Sequence, residues 1–215
     1  MPSPEKTEAL LLISPGCVHC PVMMSHLTTL LKEGALSKLQ ILNIQDYPEI
    51  ASANNVRSVP WLKLGDYTLT GSQSLAQIRN LLQQANSEQG TRAYIEQQLA
   101  EGELDKILDE VRQHPEWLNV VIELLADEDT AMQVRLGIDS IMEQMAGSEA
   151  LQAQVEALAE LAQRTHPSRL ADIIYYLGLS KTRRAIPYIE QFLQHDNPDI
   201  VETCKEALQA IQSAQ

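Results

Sequence analysis

No stretch of this sequence approaches the roughly 18 consecutive apolar residues of a membrane-spanning helix, and Met1–Lys6 (MPSPEK) lacks the basic region and hydrophobic core of a secretion signal. These two absences predict a cytoplasmic protein that neither spans a membrane nor loses a leader. Cysteine is scarce as well, with three in 215 residues. In a reducing compartment that argues against a structural disulfide framework and reserves any close pair for catalysis or metal binding. Basic residues are outnumbered: 16 Lys and Arg face 29 Asp and Glu, for a net charge of −13, and no stripe of Lys or Arg offsets the excess. Such a surface repels phosphate backbones, so nucleic acid is excluded as an expected partner.

The acidic excess is confined to one part of the chain. Met1 to Asn86 carries six residues of each sign, whereas Ser87 to Gln215 carries ten basic and twenty-three acidic ones. This step, at the polar stretch Asn86-Ser87-Glu88-Gln89-Gly90, predicts two domains, 1–86 and 87–215.

In the first domain, Ala9 to Ile13 reads as a strand apolar on both faces, suited to the centre of a covered sheet. From Val18 the positions Val22, Met23, Leu27, Leu30 and Leu31 recur at helical spacing, and Gly34 is placed to stop that helix. Leu39 to Ile44 predicts a second strand and Asp46 to Asn54 a short helix. Trp61 to Leu64, Gly65-Asp66 and Tyr67 to Thr70 carry a hairpin signal. A last helix follows Gly71-Ser72, with Leu75, Ile78, Leu81 and Leu82 on one face and Ser72 or Ser74 as its cap. The predicted order is β-α-β-α-β-β-α.

Between the first strand and the first helix lies Ser14-Pro15-Gly16-Cys17-Val18-His19-Cys20-Pro21. Two thiols at a helix N-terminus gain thiolate character from the unpaired N–H groups and the helix dipole. Two uses fit the pair: disulfide exchange, or metal binding by Cys17, Cys20 and His19. A structural zinc site needs four ligands, and no second close Cys or His pair completes one.

With Cys-X-X-Cys after the first strand and Val59-Pro60 just before the third, this order resembles the thioredoxin-like superfamily at glutaredoxin size. Cys-X-X-Cys-Pro and the string from Val56 to Gly71 look most like the archaeal glutaredoxin-like disulfide oxidoreductases. They are also similar to the thioredoxin-fold N-terminal domain of the bacterial flavin-dependent peroxiredoxin reductase. The resemblance covers about the first 85 residues. It implies that Cys17 is the nucleophile and Cys20 the resolving thiol, one turn deeper. Val59-Pro60 is then the family's cis-proline, whose backbone faces the cysteines and pairs with an extended client segment. Trp61 would border the client groove or serve as a half-buried strand aromatic, and Gly71 lines the substrate side. His19 can lower the Cys17 pKa by charge or hydrogen bond, which makes the disulfide a better oxidant, or it is a plain loop residue. Two departures stand out: thioredoxin has Trp before its first cysteine and a buried acid six residues upstream of it, where this chain has Gly16 and Leu11. The resemblance implies protein clients, an electron donor that it does not identify, and no cofactor or metal.

From Thr91 onward only helical periodicity remains. The predicted helices are Thr91 to Ala100, Glu103 to Gln113, Pro115 to Ala126, Thr130 to Met145, Ser148 to Arg164, Pro167 to Leu179, Arg183 to Gln194 and Pro198 to Gln212. His166-Pro167 and Asn197-Pro198 start helices 31 residues apart, and Asp127-Glu128-Asp129 before Val134-Arg135-Leu136 looks like a weaker copy. This resembles a HEAT-like repeat, so the fold class expected for the whole chain is a thioredoxin-like α/β domain followed by an all-α HEAT-like solenoid. A solenoid's extended face binds other proteins, so the acidic domain is expected to dock clients or partners. Its passive alternative is a domain that stabilises or dimerises the chain. His114, His166 and His195 read as surface or cap residues, and Cys204 as a packed thiol beside Ala207 and Leu208. The expected function is a thiol-disulfide oxidoreductase. The alternatives are a redox-sensing scaffold without turnover and a metal-binding protein.

Overall fold

A computed structural model describes residues 7–84 and 87–214. Met1–Lys6, in which the absence of a leader was read, lie outside the described residues, as does Asn86 at the predicted domain boundary. Two compact units, Met1–Thr91 and Arg92–Gln215, make up the chain.

The first unit is an α/β sheet domain with the element order read from the sequence. It comprises β1 (Glu8–Ile13), α1 (Cys20–Lys32), β2 (Lys38–Asn43), α2 (Pro48–Ala53), β3 (Trp61–Leu64), β4 (Tyr67–Thr70) and α3 (Leu75–Gln84). The sheet order is β2-β1-β3-β4, with β1 parallel to β2 and antiparallel to β3. Parallel pairing of β1 and β2 requires the crossover that α1 provides. Strand β1 is central, and its Leu11 and Leu12 are both fully buried, as a strand apolar on both faces requires. On one face Ala9, Leu11, Leu62 and Leu64 pack against Met23, Leu27 and Leu30 of α1 and Ile78 of α3.

Local chemistry explains the ends of these elements. Helix α1 stops where Gly34 takes φ +73°, while the Ala35 N–H bonds the Leu30 carbonyl and the Gly34 N–H that of Leu31. Ser74 rather than Ser72 caps α3: its hydroxyl accepts the Gln77 N–H, and the Gln77 side chain accepts the Ser74 N–H. Gly65, at φ +60°, makes the two-residue turn between β3 and β4 possible.

In the chain beyond α3, helix α4 (Glu88–Ala100) begins three residues before the predicted Thr91. Ser87 Oγ accepts the Gly90 N–H at 3.1 Å, so Ser87 caps the helix and Glu88, Gln89 and Gly90 are its first turn. Then come α5 (Leu104–Gln113), α6 (Trp117–Ala126), α7 (Met132–Gln144), α8 (Glu149–Ala153), α9 (Val155–Arg164) and α10 (Pro167–Leu179). A single 3₁₀ turn over Arg183–Ala185 leads into α11 (Ile186–Glu190), and α12 (Pro198–Ser213) ends the described chain. Two predicted helices are altered: Ser148 to Arg164 is broken at Gln154, and the helix expected to reach Gln194 ends at Glu190. Both X-Pro starts are capped as their residues dictate, with the His166 side chain accepting the Ser168 N–H and that of Asn197 the Asp199 N–H. His195 likewise accepts the Asn197 N–H, and His114 ends α5 and stacks on Trp117. The fully buried Cys204 sits among the packed residues of α12, where burial pushes its thiol pKa up.

At Gly178 α10 comes close to α12: a Cβ there would lie 2.8 Å from the Ala207 backbone. Replacing a helical glycine by alanine ordinarily favours folding by up to about 1 kcal/mol. Here Gly178→Ala should instead destabilise the protein by about 1–3 kcal/mol, measured by urea denaturation, because the helices must part to admit the methyl group. Unchanged or raised stability would show that the contact yields.

Candidate functional site

Strand β1 delivers the chain to the cysteine loop, and α1 takes it away. Cys17 and Cys20 are joined in a disulfide with Cα atoms 5.5 Å apart. The loop closes on itself, the Cys17 N–H donating to the Ser14 carbonyl at 3.2 Å and the Cys20 N–H to the Cys17 carbonyl at 3.4 Å. Cys20 is the first residue of α1 and is 2 % exposed, because it lies one turn from Met23 on the inward face of the helix. Cys17, three residues earlier, is half-buried and remains within reach of solvent. Pro21 occupies the first turn of α1, where its missing N–H costs no hydrogen bond. His19 is exposed at the helix N-cap and makes no capping bond with its side chain. Val18, between the cysteines, is 80 % exposed, and Val22 on the next turn is 48 % exposed.

The β1–β3 register brings the second half of the site to the same end of the sheet. Leu12 pairs with Trp61, so the next residues outward are Ile13, leading into the cysteine loop, and Pro60. The Val59–Pro60 peptide bond is cis. Gly71, at φ +82°, donates its N–H to the Pro60 carbonyl at 2.8 Å, joining the end of β4 to the start of β3. The following segment is anchored to α1: the Gln73 N–H lies 3.2 Å from Met23 Sδ, and His26 Nδ1 lies 3.1 Å from the Gln73 carbonyl oxygen.

Residues 9–83 match the family model of a thioredoxin domain. No curated protein matches the chain.

Cys17, His19, Cys20, Val59, Pro60 and Gly71 therefore share one end of this thioredoxin-like sheet. Trp61 is 5 % exposed and pairs with Leu12 and Thr70, so its ring is a packed strand aromatic. The exposure of Val18 was not anticipated. Its signal was an apolar residue ahead of the helix's first inward position, where no core is available to receive it. Leu11, in the place of thioredoxin's acid, is fully buried in the apolar cluster, and no carboxylate lies among that cluster's residues. Among the described residues, no group of three or more His, Cys, Asp or Glu side chains is arranged to hold a metal ion. No helix among them is long and apolar enough to cross a membrane.

Cysteine exposure sets an order of reactivity. After reduction, iodoacetamide should modify Cys17 at least about tenfold faster than Cys204, which is fully buried with its thiol held protonated. Peptide mass spectrometry against time checks the order, and prior labelling of Cys204 would contradict it.

Proposed function

We propose that the protein is a thiol-disulfide oxidoreductase that exchanges the Cys17–Cys20 disulfide with disulfides or thiols of protein clients. The observation that carries this reading is the asymmetric pair itself: an accessible Cys17 joined to a buried Cys20 at the N-terminus of α1, beside a cis-proline. In the reducing direction, the Cys17 thiolate attacks one sulfur of a client disulfide. A mixed disulfide forms, and the other client sulfur leaves as a thiolate that takes up a proton. Cys20, losing its own proton, then attacks the Cys17 sulfur and releases the second client thiolate, so that two electrons have passed to the client. The second attack is intramolecular and therefore fast, which keeps the protein from remaining bound to its client. A dithiol or thiol donor returns the pair to its reduced state, and the same steps run backwards oxidise a client.

In this reading His19 stabilises the Cys17 thiolate and raises the oxidising power of the disulfide. The backbone at Val59-Pro60 pairs with an extended client segment near Gly71, and exposed Val18 and Val22 offer apolar contact beside the reactive sulfur. The acidic helical unit docks clients or partners, with stacked helices of the HEAT-like kind as the arrangement that its recurrent capped X-Pro helix starts support. The protein works in the cytoplasm on this account.

Reduction of insulin by dithiothreitol tests the chemistry. The protein should accelerate it, Cys17→Ser should return the rate to that of dithiothreitol alone, and Cys20→Ser should accumulate mixed disulfides on Cys17. A Cys17→Ser variant as active as the wild type would sink the enzyme reading. A wild type that cycles between its two redox states without turnover would favour a redox sensor.

A further inference from the structure

Helices α7 and α10 pack side by side in the second unit. Near their N-termini, the Arg169 guanidinium donates to the carbonyls of Leu125, Asp127 and Glu128, just ahead of α7. Towards their C-termini, the Tyr176 hydroxyl donates to Asp139 and the Tyr175 hydroxyl to Glu143 at 3.3 Å. The two helices therefore run parallel. Along them lie exposed apolar side chains: Met132 is 73 % exposed, Leu136 59 % and Tyr175 43 %. From Met132 to Glu143, the residue that Tyr175 bonds, α7 rises about 16 Å, so the strip these side chains mark would match two to three turns of a helix laid against it.

The border of this strip is acidic. Asp139 and Glu143 follow Leu136 on α7, and Asp172 precedes Tyr175 on α10. Burial and the neighbouring Asp139 push the Asp172 carboxyl above its usual range, against the opposing pull of Arg135 and Arg169. Those two cations also donate to backbone carbonyls between Leu125 and Thr130, keep their charge and offset part of the local negative charge. The balance is negative, with Asp139, Glu143 and Asp172 against Arg135 and Arg169, within a stretch from Ser87 to Gln215 that carries ten basic and twenty-three acidic residues.

We propose that the α7–α10 face is a docking groove for a basic amphipathic helical segment of a partner protein. Its apolar side chains would seat on Met132, Leu136 and Tyr175, and its lysines or arginines would reach Asp139, Glu143 and Asp172. Charge selects this occupant. A second copy would bring acid against acid, and anionic lipid or nucleic acid meets the same repulsion. The inference rests on the reading of the second unit as a docking surface and names the chemistry that docks there.

The test uses the full-length protein and a fluorescein-labelled peptide of leucine and lysine, about 18 residues or about 27 Å as a helix. Fluorescence anisotropy should show binding that weakens with salt, whereas a leucine–glutamate peptide of equal length should not bind. Met132→Ser/Leu136→Ser, at exposed positions that folding tolerates, should weaken binding about tenfold. Asp139→Asn/Asp172→Asn, which keeps an oxygen acceptor for Tyr176, should do the same. Equal affinity in wild type and both variants would mean diffuse charge attraction and would overturn the proposal. So would a concentration-dependent dimer, seen by light scattering, that Met132→Ser/Leu136→Ser abolishes. Peptide binding repeated in Cys17→Ser should be unchanged, so an inert wild type in the insulin assay would remove the exchange chemistry and leave the docking result intact.

Discussion

The antiparallel register of β1 on β3 sets the cysteine loop and the cis-proline at one end of the sheet. Leu11 opposes Leu62, Ala9 opposes Leu64, and these four side chains lie in the cluster beneath α1 and α3. A slip of one residue would turn Trp61 and Lys63 towards that cluster and Leu62 and Leu64 away from it. Burying an unpaired ammonium costs far more than a marginally stable domain can absorb. The apolar core thus enforces the register, and the register sets Pro60 across from the residue that leads into the cysteine loop. The same cluster determines the asymmetry of the thiols, since α1 must direct Met23, Leu27 and Leu30 inward and Cys20 falls on that stripe one turn earlier.

The second unit answers to a different constraint. Its helices bury aliphatic stripes against one another, and the remaining surface is set by which charged side chains find local partners. Arg135 and Arg169 are drawn to carbonyls in the loop ahead of α7, while Arg184 pairs with Glu156 and Arg92 with Asp127. These contacts orient the guanidinium groups but leave their charge in place, so the field over α7 and α10 is the balance of Arg135 and Arg169 against Asp139, Glu143 and Asp172.

Where sequence and structure agree, a local chemical rule was at work. Strands β3 and β4 match their predicted bounds because Gly65-Asp66 admits only a tight turn between two apolar-rich segments. Helices α10 and α12 start at Pro167 and Pro198 because the residue before each proline supplies the cap. Disagreement arises where the apolar period runs on through a break in hydrogen bonding. Leu151, Val155 and Leu158 keep helical spacing across Gln154, so the break between α8 and α9 left no trace in the pattern. After Glu190 the half-buried Phe192 and Leu193 continue the period, while their N–H groups bond Ile189 and Glu190 in tighter turns. Of the site, Cys17 and Cys20 were readable as a local Cys-X-X-Cys motif, and Pro60 through the resemblance that places a cis-proline just before the third strand. The exposure of Met132 and Leu136 was not, since Val134, Ile138 and Ile141 make α7 apolar on its buried side too, and only packing decides which stripe is covered.

Leu11 has a consequence for the resolving step. In the proposed exchange Cys20 must lose its proton to attack the mixed disulfide, and the side chain in thioredoxin's acid position is here a fully buried hydrocarbon. A carboxylate in that position would require desolvation and a pKa far from its usual range to serve as acceptor. Without one, the proton released in the proposed step would pass to water. On the proposed function, resolution would depend on the thiolate fraction of Cys20, which is 2 % exposed in the disulfide form. Leaving the core entirely apolar favours the stability of the sheet, while the cysteine loop at its end leaves Val18, His19 and Val22 exposed.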